Sequence, residues 1–172
     1  MEPKFKGLTQ IGIIVRNLEE AVKQYESMGI GPWDISALNN TVPPFTDLKF
    51  DGKELETKGE ILKTAFITCF GLEIELIEPV APESAHYKWL KEHGPGIHHI
   101  AFDISDDYEK FLKISKDQTG KDTWIRGTGI GGLMDFAYVD LRDQMGIIVE
   151  CYSKMQPGKA VLKYDKEIEL SK

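Results

Sequence analysis

The sequence repeats itself, and that repeat limits the possible folds more than any other feature. Gln10-Ile-Gly-Ile-Ile-Val-Arg-Asn-Leu-Glu-Glu-Ala-Val-Lys-Gln-Tyr25 reads as a strand running into a helix. His99-Ile-Ala-Phe-Asp-Ile-Ser-Asp-Asp-Tyr-Glu-Lys-Phe-Leu-Lys113 reads the same way. A second pair also matches, Gly71-Leu-Glu-Ile-Glu75-Leu and Gly146-Ile-Ile-Val-Glu150-Cys. When the copies are aligned, Gln10 falls opposite His99 and Glu75 opposite Glu150. All four side chains are able to bind a metal ion, so the duplication places two possible ligands in each half.

A chain of 172 residues suffices for one well-packed domain, or for two small modules sharing a core. A formal charge of −7 argues against nucleic acid or an anionic membrane as partner, because an acidic surface repels both. Cys69 and Cys151 each fall inside an expected strand, a pattern of buried thiols in a reducing compartment rather than of a disulfide framework. The opening Met-Glu-Pro-Lys-Phe-Lys-Gly lacks the apolar core of a signal peptide. No apolar run approaches the ~20 residues that a membrane span needs. A cytoplasmic protein is expected.

Residues 8–15 predict a strand, Asn17 a helix N-cap, and Leu18, Ala21, Val22 and Tyr25 the inner face of a helix that stops near Gly29. Gly31-Pro32-Trp33 predicts a turn, and Trp33–Leu38 a second strand. Between Asn39 and Gly59 the pattern predicts a long loop or irregular hairpin, of the kind that often serves as a binding element. A hairpin follows, Ile61–Phe70 and Leu72–Glu78, turning at Gly71 and ended by Pro79 and Pro82. Glu83–His93 predicts a bridging helix with Tyr87 and Leu90 inward, broken by Gly94-Pro95-Gly96. The second copy predicts strand Ile97–Ile104, a cap at Ser105 or Asp106, helix Tyr108–Lys116, strand Thr123–Arg126, a Gly-rich turn Gly127–Gly132, and a closing hairpin of Met134–Asp140 and Gly146–Tyr152.

Each half therefore reads β-α-β-β-β. The expectation is an α+β fold in which two βαβββ modules, 8–79 and 97–152, bridged by helix 83–93, form a cup-shaped, partly open barrel-like sheet within a single domain 8–152. Residues 153–172 are an extension, with Lys159–Leu170 either a helix or an extended arm. Gln10 to Glu75 spans 65 positions and His99 to Glu150 spans 51. The excess falls in the first half's loop region, which marks that half as the carrier of a substrate cover.

Taken singly, the four residues have ordinary structural explanations. Glu150 in Ile147-Ile-Val-Glu-Cys-Tyr152 could face a cation or solvent, since a lone buried carboxylate is costly. Glu75 alternates with apolar neighbours as on any half-exposed strand. His98 and His99 should point to opposite faces, so that at most one enters a shared pocket. Gln10 alone carries no signal. The repeat changes the weighing, because matched positions of two modules related by a pseudo-twofold axis converge on one cup. Three oxygen ligands and one imidazole nitrogen suit a divalent ion with open positions for water or substrate.

The duplicated pattern, the opening Gln-Ile-Gly-Ile-Ile-Val-x-Asn-Leu, the stretch Gly-Ile-His-His-Ile-Ala-Phe and the closing Gly-Ile-Ile-Val-Glu resemble the vicinal oxygen chelate superfamily over residues 8–152. That superfamily includes glyoxalase I, methylmalonyl-CoA epimerase, extradiol dioxygenases and antibiotic-binding resistance proteins. The resemblance implies metal ligands at Gln10, Glu75, His99 and Glu150. The order Gln, Glu, His, Glu is similar to the zinc-type glyoxalase I of animals, whereas the epimerases carry His first and Gln second. Glu83 to Phe102 looks more like the epimerases. Where that glyoxalase has Arg and Asn touching glutathione, this chain has Ile14 and Pro79. Arg16, Arg126 and Arg142 are the alternative candidate anion anchors.

What the resemblance implies for function is a metal-dependent lyase or isomerase of the glyoxalase I (lactoylglutathione lyase) type, moving a proton next to a carbonyl through an enediolate or enolate. Glu150 is then the base and Glu75 the group that returns the proton. The alternatives are an epimerase of 2-methylmalonyl-CoA type and a non-catalytic small-molecule binding protein. Zinc is the first choice of metal, ahead of cobalt, nickel and manganese. The partner is a small carbonyl or thioester substrate, and a homodimer is implied. Gly127-Thr-Gly129-Ile-Gly-Gly132 matches a dinucleotide motif but precedes a strand instead of a helix, so it reads as a turn beside the pocket. A ring-cleaving iron site would need a second histidine at a ligand position. His86 and His93 are expected to be solvated. Trp33, Phe45, Phe50 and Phe66 are pocket or core aromatics.

Overall fold

Strands and helices form where β-branched runs and capped amphipathic stretches place them. The computed structural model describes residues 5–35, 46–55, 61–129 and 134–154. Phe45, residues 36–38 of the expected second strand, residues 130–132 of the Gly-rich turn and the Lys159–Leu170 segment lie outside the described residues. Strand β1 (Gly7–Ile14) leads into α1 (Leu18–Ser27). Asn17 caps that helix by accepting the Glu20 N–H at 2.9 Å, with Glu19 and Glu20 in the first turn complementing its dipole. Next come β2 (Thr46–Phe50), β3 (Lys53–Glu54), β4 (Leu62–Cys69) and β5 (Leu72–Pro79). Phe70 and Gly71 both take positive φ, 54° and 76°, as a tight two-residue hairpin requires.

Helix α2 (Ala85–His93) starts at Ser84, whose Oγ accepts the Tyr87 N–H at 3.1 Å, and stops at Gly94 with φ 79°. The second copy comprises β6 (Gly96–Asp103), a 3-10 turn (Ser105–Asp107), α3 (Tyr108–Thr119), β7 (Ile125–Gly129), β8 (Met134–Leu141), the short α4 (Arg142–Met145) and β9 (Ile147–Tyr152). No helix among the described residues is long and apolar enough to cross a membrane.

The nine strands of the described residues join one open sheet in the order β3-β2-β7-β8-β9-β6-β1-β5-β4. The fold is α+β, with a partly open barrel-like sheet. β1 runs parallel to β5 and β6 parallel to β9, while β1 and β6 meet antiparallel at the seam. Register repeats with the sequence: Gly12 stands opposite Glu75, and the matching Ala101 stands opposite Glu150.

Alternation divides each strand between two faces. Ala137, Val139, Val149 and Cys151 pack under α3 with Ile104, Phe111 and Leu112. Phe136, Tyr138 and Ile148 face the other way, onto Ala85 of α2. Ile14 and Ile77 meet the same helix at Leu90, and Trp89 borders both clusters. Helix α2 thus packs on the inner face of both halves.

Two expectations are corrected and one is narrowed. Among the described residues, the strand expected at Trp33–Leu38 is only a bridge between Asp34 and Phe66. Of the long loop or irregular hairpin expected from Asn39 to Gly59, the described residues form the β2–β3 hairpin, and β2 pairs with β7 of the second copy. The turn expected from Gly127 is a strand as far as Gly129. Gly127 is needed there for packing, since a Cβ would stand 2.8 Å from Leu48 Cδ2 and 2.9 Å from Phe136.

The seam holds the least expected feature. Pairing skips Thr9 on β1 and His98 on β6, giving a β-bulge immediately before Gln10 and another immediately before His99. The two bulges occupy matching positions of the repeat. The second overturns the rule of opposite faces, because His98 and His99 are both buried, at 3% and 1% exposure. The His99 ring lies directly on Gly12, where an added Cβ would stand 1.8 Å from Cε1. Gly12→Ala should therefore displace the imidazole and cost about 1–3 kcal/mol, as overpacked cores do. Thermal denaturation in a double-mutant cycle with His99→Ala should return a large coupling energy. Independent, additive effects would contradict the packing described.

Candidate functional site

Four neighbouring strands, β9, β6, β1 and β5, each deliver one of the four residues singled out by the repeat. Gln10, Glu75, His99 and Glu150 are all buried. His99 Nε2 lies 2.9 Å from Glu150 Oε2, 3.3 Å from Gln10 Oε1 and 3.8 Å from Glu75 Oε2. One amide oxygen and two carboxylates thus converge on one imidazole nitrogen.

The surrounding groups orient these atoms. Gln10 Nε2 donates to Glu73 Oε1 at 2.7 Å, which turns the amide oxygen toward His99. Tyr152 donates from its hydroxyl to the same amide oxygen at 3.3 Å. The bulge brings His98 Nδ1 to 3.1 Å from His99 Nδ1. A proton shared between the two Nδ1 atoms makes one ring the donor and the other the acceptor there. Tyr138 stands opposite Glu150 in register and places its ring edge-on to His99, 4.9 Å between centroids.

Environment separates the two carboxylates. Burial first, then the charges of Glu150 and Glu73, push Glu75 well above the usual carboxylate range. Burial also acts to raise Glu150, but the His99 imidazole and the Tyr138 and Tyr152 hydroxyls outweigh it and hold Glu150 low. A pair with one member favouring the acid and the other the anion is the arrangement that acid–base chemistry uses.

Cis ligands about 2.1 Å from one divalent ion lie roughly 3.0–3.4 Å apart; His99 Nε2 stands 3.3 Å from Gln10 Oε1, within that spacing, 2.9 Å from Glu150 Oε2, just short of it, and 3.8 Å from Glu75 Oε2, beyond it. Glu150 Oε2 is buried with no aligned hydrogen bond despite its 2.9 Å approach to the ring. Among the described residues, no three His, Cys, Asp or Glu side chains are arranged as a ready-made metal site. By donor chemistry, burial and the unaligned Glu150 oxygen, the set fits such an ion.

Other expected residues fall elsewhere. Arg126 binds Glu109 at 2.7 Å, and Arg142 grips Asp140 through Nε and Nη2 at 2.9 Å each, so neither guanidinium is free to anchor an anion. Arg16 is exposed. Ile14, at a glutathione-contact position by resemblance, is buried against Ile77 and Leu90, and Pro79 is buried at the end of β5. Trp33 packs with Ala65 and Leu76 under α1, with Ile67 alongside. Phe66 pairs with Glu75 across the β4–β5 hairpin. Phe50 lines a pocket with Leu48, Ile125 and Phe136. Cys151 is buried, whereas Cys69 is only partly so. His93 is exposed as expected, but His86 is not solvated. It is buried at the start of α2 against His98, Trp124 and Tyr138.

Reading residue by residue missed Gly12, Glu73, His98, Tyr138 and Tyr152. A glycine inside a strand pattern signals close backbone approach, so Gly12 carried a readable cue. Nothing in the local sequence marks the bulge that turns His98 inward.

A duplicated sheet with a buried amide–imidazole–carboxylate cluster at its seam is the architecture of the vicinal oxygen chelate fold. The profile of the Glyoxalase/Bleomycin resistance protein/Dioxygenase superfamily matches residues 9–138, and the chain belongs to that superfamily. It is 25% identical over 143 residues to the uncharacterized protein YqjC of Bacillus subtilis (strain 168), covering 83% of this chain and 89% of that protein. Among solved structures it is similar to a hypothetical protein of Bacillus halodurans C-125, at 22% identity and TM-score 0.57, covering 90% of this chain and 98% of that one. It is also similar to methylmalonyl-CoA epimerase of Mycobacterium tuberculosis, at 19% identity and TM-score 0.55, covering 88% and 90%. At these identities the structural likeness concerns the fold.

Burial, then the neighbouring His99, lowers His86 from 6.5 to about 3, so the folded protein keeps this ring neutral. Between those two values the unfolded chain binds a proton that the folded chain does not. Stability therefore falls as pH drops from 6.5 toward 3. His86→Phe should flatten this slope, raising the melting temperature relative to wild type at pH 5 with a much smaller difference at pH 8. A parallel shift at both pH values would show that His86 is not responsible.

Proposed function

We propose that this protein is a metal-dependent lyase or isomerase that moves a proton at the carbon next to a carbonyl, on the pattern of glyoxalase I (lactoylglutathione lyase). The observation supporting this most strongly is the convergence of Glu75 and Glu150, from opposite halves of the repeat, on His99. Gln10, Glu75, His99 and Glu150 would hold a divalent ion, zinc ahead of cobalt, nickel or manganese. When bound, that ion supplies electrostatic stabilisation where negative charge develops on the substrate oxygens, typically worth several kcal/mol.

Glu150, held in its ionised form, takes the α-proton. Glu75, from the other half of the repeat, returns or exchanges the proton. Gln10 is kept in register by Glu73, and His99 by His98 and Gly12, so the reacting groups need little rearrangement. Burial excludes bulk water from both carboxylates. The same reading makes the protein a homodimer, as the resemblance implies, and the cysteine pattern accords with a cytoplasmic location.

A second reading, epimerisation of a 2-methylmalonyl-type thioester, is favoured by Ile14 and Pro79. Both are buried apolar residues where a glutathione-dependent site has polar contacts. It also accords with the structural neighbours that bear the name methylmalonyl-CoA epimerase.

Proton chemistry is tested by NMR in D2O with the full-length protein and each of the four metals. The substrates are methylglyoxal with glutathione or another thiol, and a 2-methylmalonyl thioester. Lactoyl thioester formation or deuterium at the α-carbon is expected with at least one substrate, and Glu150→Gln should slow it about 10²–10⁴-fold. Stoichiometric ligand binding with no exchange on any substrate would replace the enzyme with a binding protein of the same fold.

A further inference from the structure

Glu73 lies outside the set of four, yet its carboxylate is one amide group away from His99. Glu73 Oε1 accepts from Gln10 Nε2 at 2.7 Å, and Gln10 Oε1 stands 3.3 Å from His99 Nε2. We propose that Glu73 selects substrates by charge. Its carboxylate favours carbonyl compounds that bear no negative charge on the reacting carbon and disfavours those that carry a carboxylate there. The proposal rests on the proton-transfer reading above and names the substrate class for it.

Position is the first argument. Glu73 and Glu75 stand two residues apart on β5 and project from the same face. That face also carries Ile77, which meets Leu90 of α2 inside the cup. Glu73 is only partly buried, so its charge borders the cup instead of the core. The charge also reaches the site: after burial and Glu150, it is the third cause that pushes Glu75 up.

The second argument is that no cation stands against it. Among the described residues of β9, β6, β1, β5 and β4, the strands around the site, the one Lys or Arg is Lys63. Lys63 stands opposite Glu78, whose carboxylate accepts the Leu18 N–H, so both belong to the α1 side of the sheet. Arg126 stands opposite Ala137, which packs under α3, and it binds Glu109 of that helix. Arg142 is held by Asp140, and Arg16 lies beyond the end of β1, near Gly94. No Lys or Arg among the described residues forms an ion pair with Glu73. Glu75 and Glu150 together balance a divalent ion, and Glu73 is then a third carboxylate in excess.

This excess separates the two readings above. The hemithioacetal of methylglyoxal is uncharged at its reacting carbon, whereas a 2-methylmalonyl thioester carries a free carboxylate there. Two like charges a few ångströms apart at a partly buried site change an affinity on the order of 10-fold. Glu73 therefore weighs toward the uncharged substrate.

Pyruvate and pyruvamide each present a keto oxygen beside a second oxygen and differ by one charge. Calorimetry on the zinc-loaded full chain gives the ratio of their affinities, and the change in that ratio between variants is the readout. Glu73→Gln keeps an oxygen to accept from Gln10 and removes the charge, so it should move the ratio toward pyruvate about 10-fold. Thr68 is exposed and stands directly opposite Glu73 in register. Thr68→Lys leaves the Gln10 contact untouched and should move the ratio the same way by about 3-fold. It decides the matter if the first variant does not fold. A ratio that stays put while both ligands weaken equally would make Glu73 only a support for Gln10 and overturn the proposal. Binding of neither ligand overturns it as well. A ratio that moves as expected without α-proton exchange keeps the charge selection and removes the reaction, and exchange with an unmoved ratio does the reverse.

Discussion

His99 lies flat on Gly12, and most of the site depends on that contact. It lies at the antiparallel seam where the two halves meet, so a histidine of the second half rests against a glycine of the first. The complementary contact across the same seam sets Gln10 of the first half opposite Ala101 of the second. A flat ring demands no Cβ beneath it, whereas the slimmer amide tolerates one. The bulges at Thr9 and His98 then re-aim the residues that follow them, as bulges beside functional sites commonly do. With the seam fixed, the parallel partners β5 and β9 bring Glu75 and Glu150 toward the same point.

Duplication does not make the halves equal. The second copy keeps β7 as a full strand, while the described part of the first copy keeps only the Asp34 bridge at the matching place. Instead, the first half sends the β2–β3 hairpin across to β7. Helix α2 joins the halves from inside the cup by packing Leu90 on one and Ala85 on the other. Symmetry therefore governs the four seam residues and departs at the rim.

Much of this was legible from the residues, for identifiable reasons. The repeat named Gln10, Glu75, His99 and Glu150 because matching positions carried metal-binding side chains, even though none was informative alone. Strand and helix positions followed from β-branched runs, Asn17, Ser84 and the glycine stops. For the β2–β3 segment, Gly52 and scattered charges suit a loop as well as a hairpin, and the pairing with β7 was hidden because that partner is remote in sequence. His86 looked like an exposed helix residue until the inner face of the sheet closed over it. His98 was misplaced by strict two-residue alternation, which a single inserted residue reverses. Tyr138 and Tyr152 read as ordinary strand aromatics, and only the pairing of β8 with β9 sets Tyr138 beside Glu150.

Diffraction at the zinc absorption edge, from crystals grown with zinc, asks the central question most directly. One anomalous peak is predicted within about 2.0–2.2 Å of Gln10 Oε1, His99 Nε2 and a carboxylate oxygen of Glu75 and of Glu150. A crystal with no peak at the seam, or with zinc bound elsewhere while those four side chains keep their mutual contacts, would contradict the account.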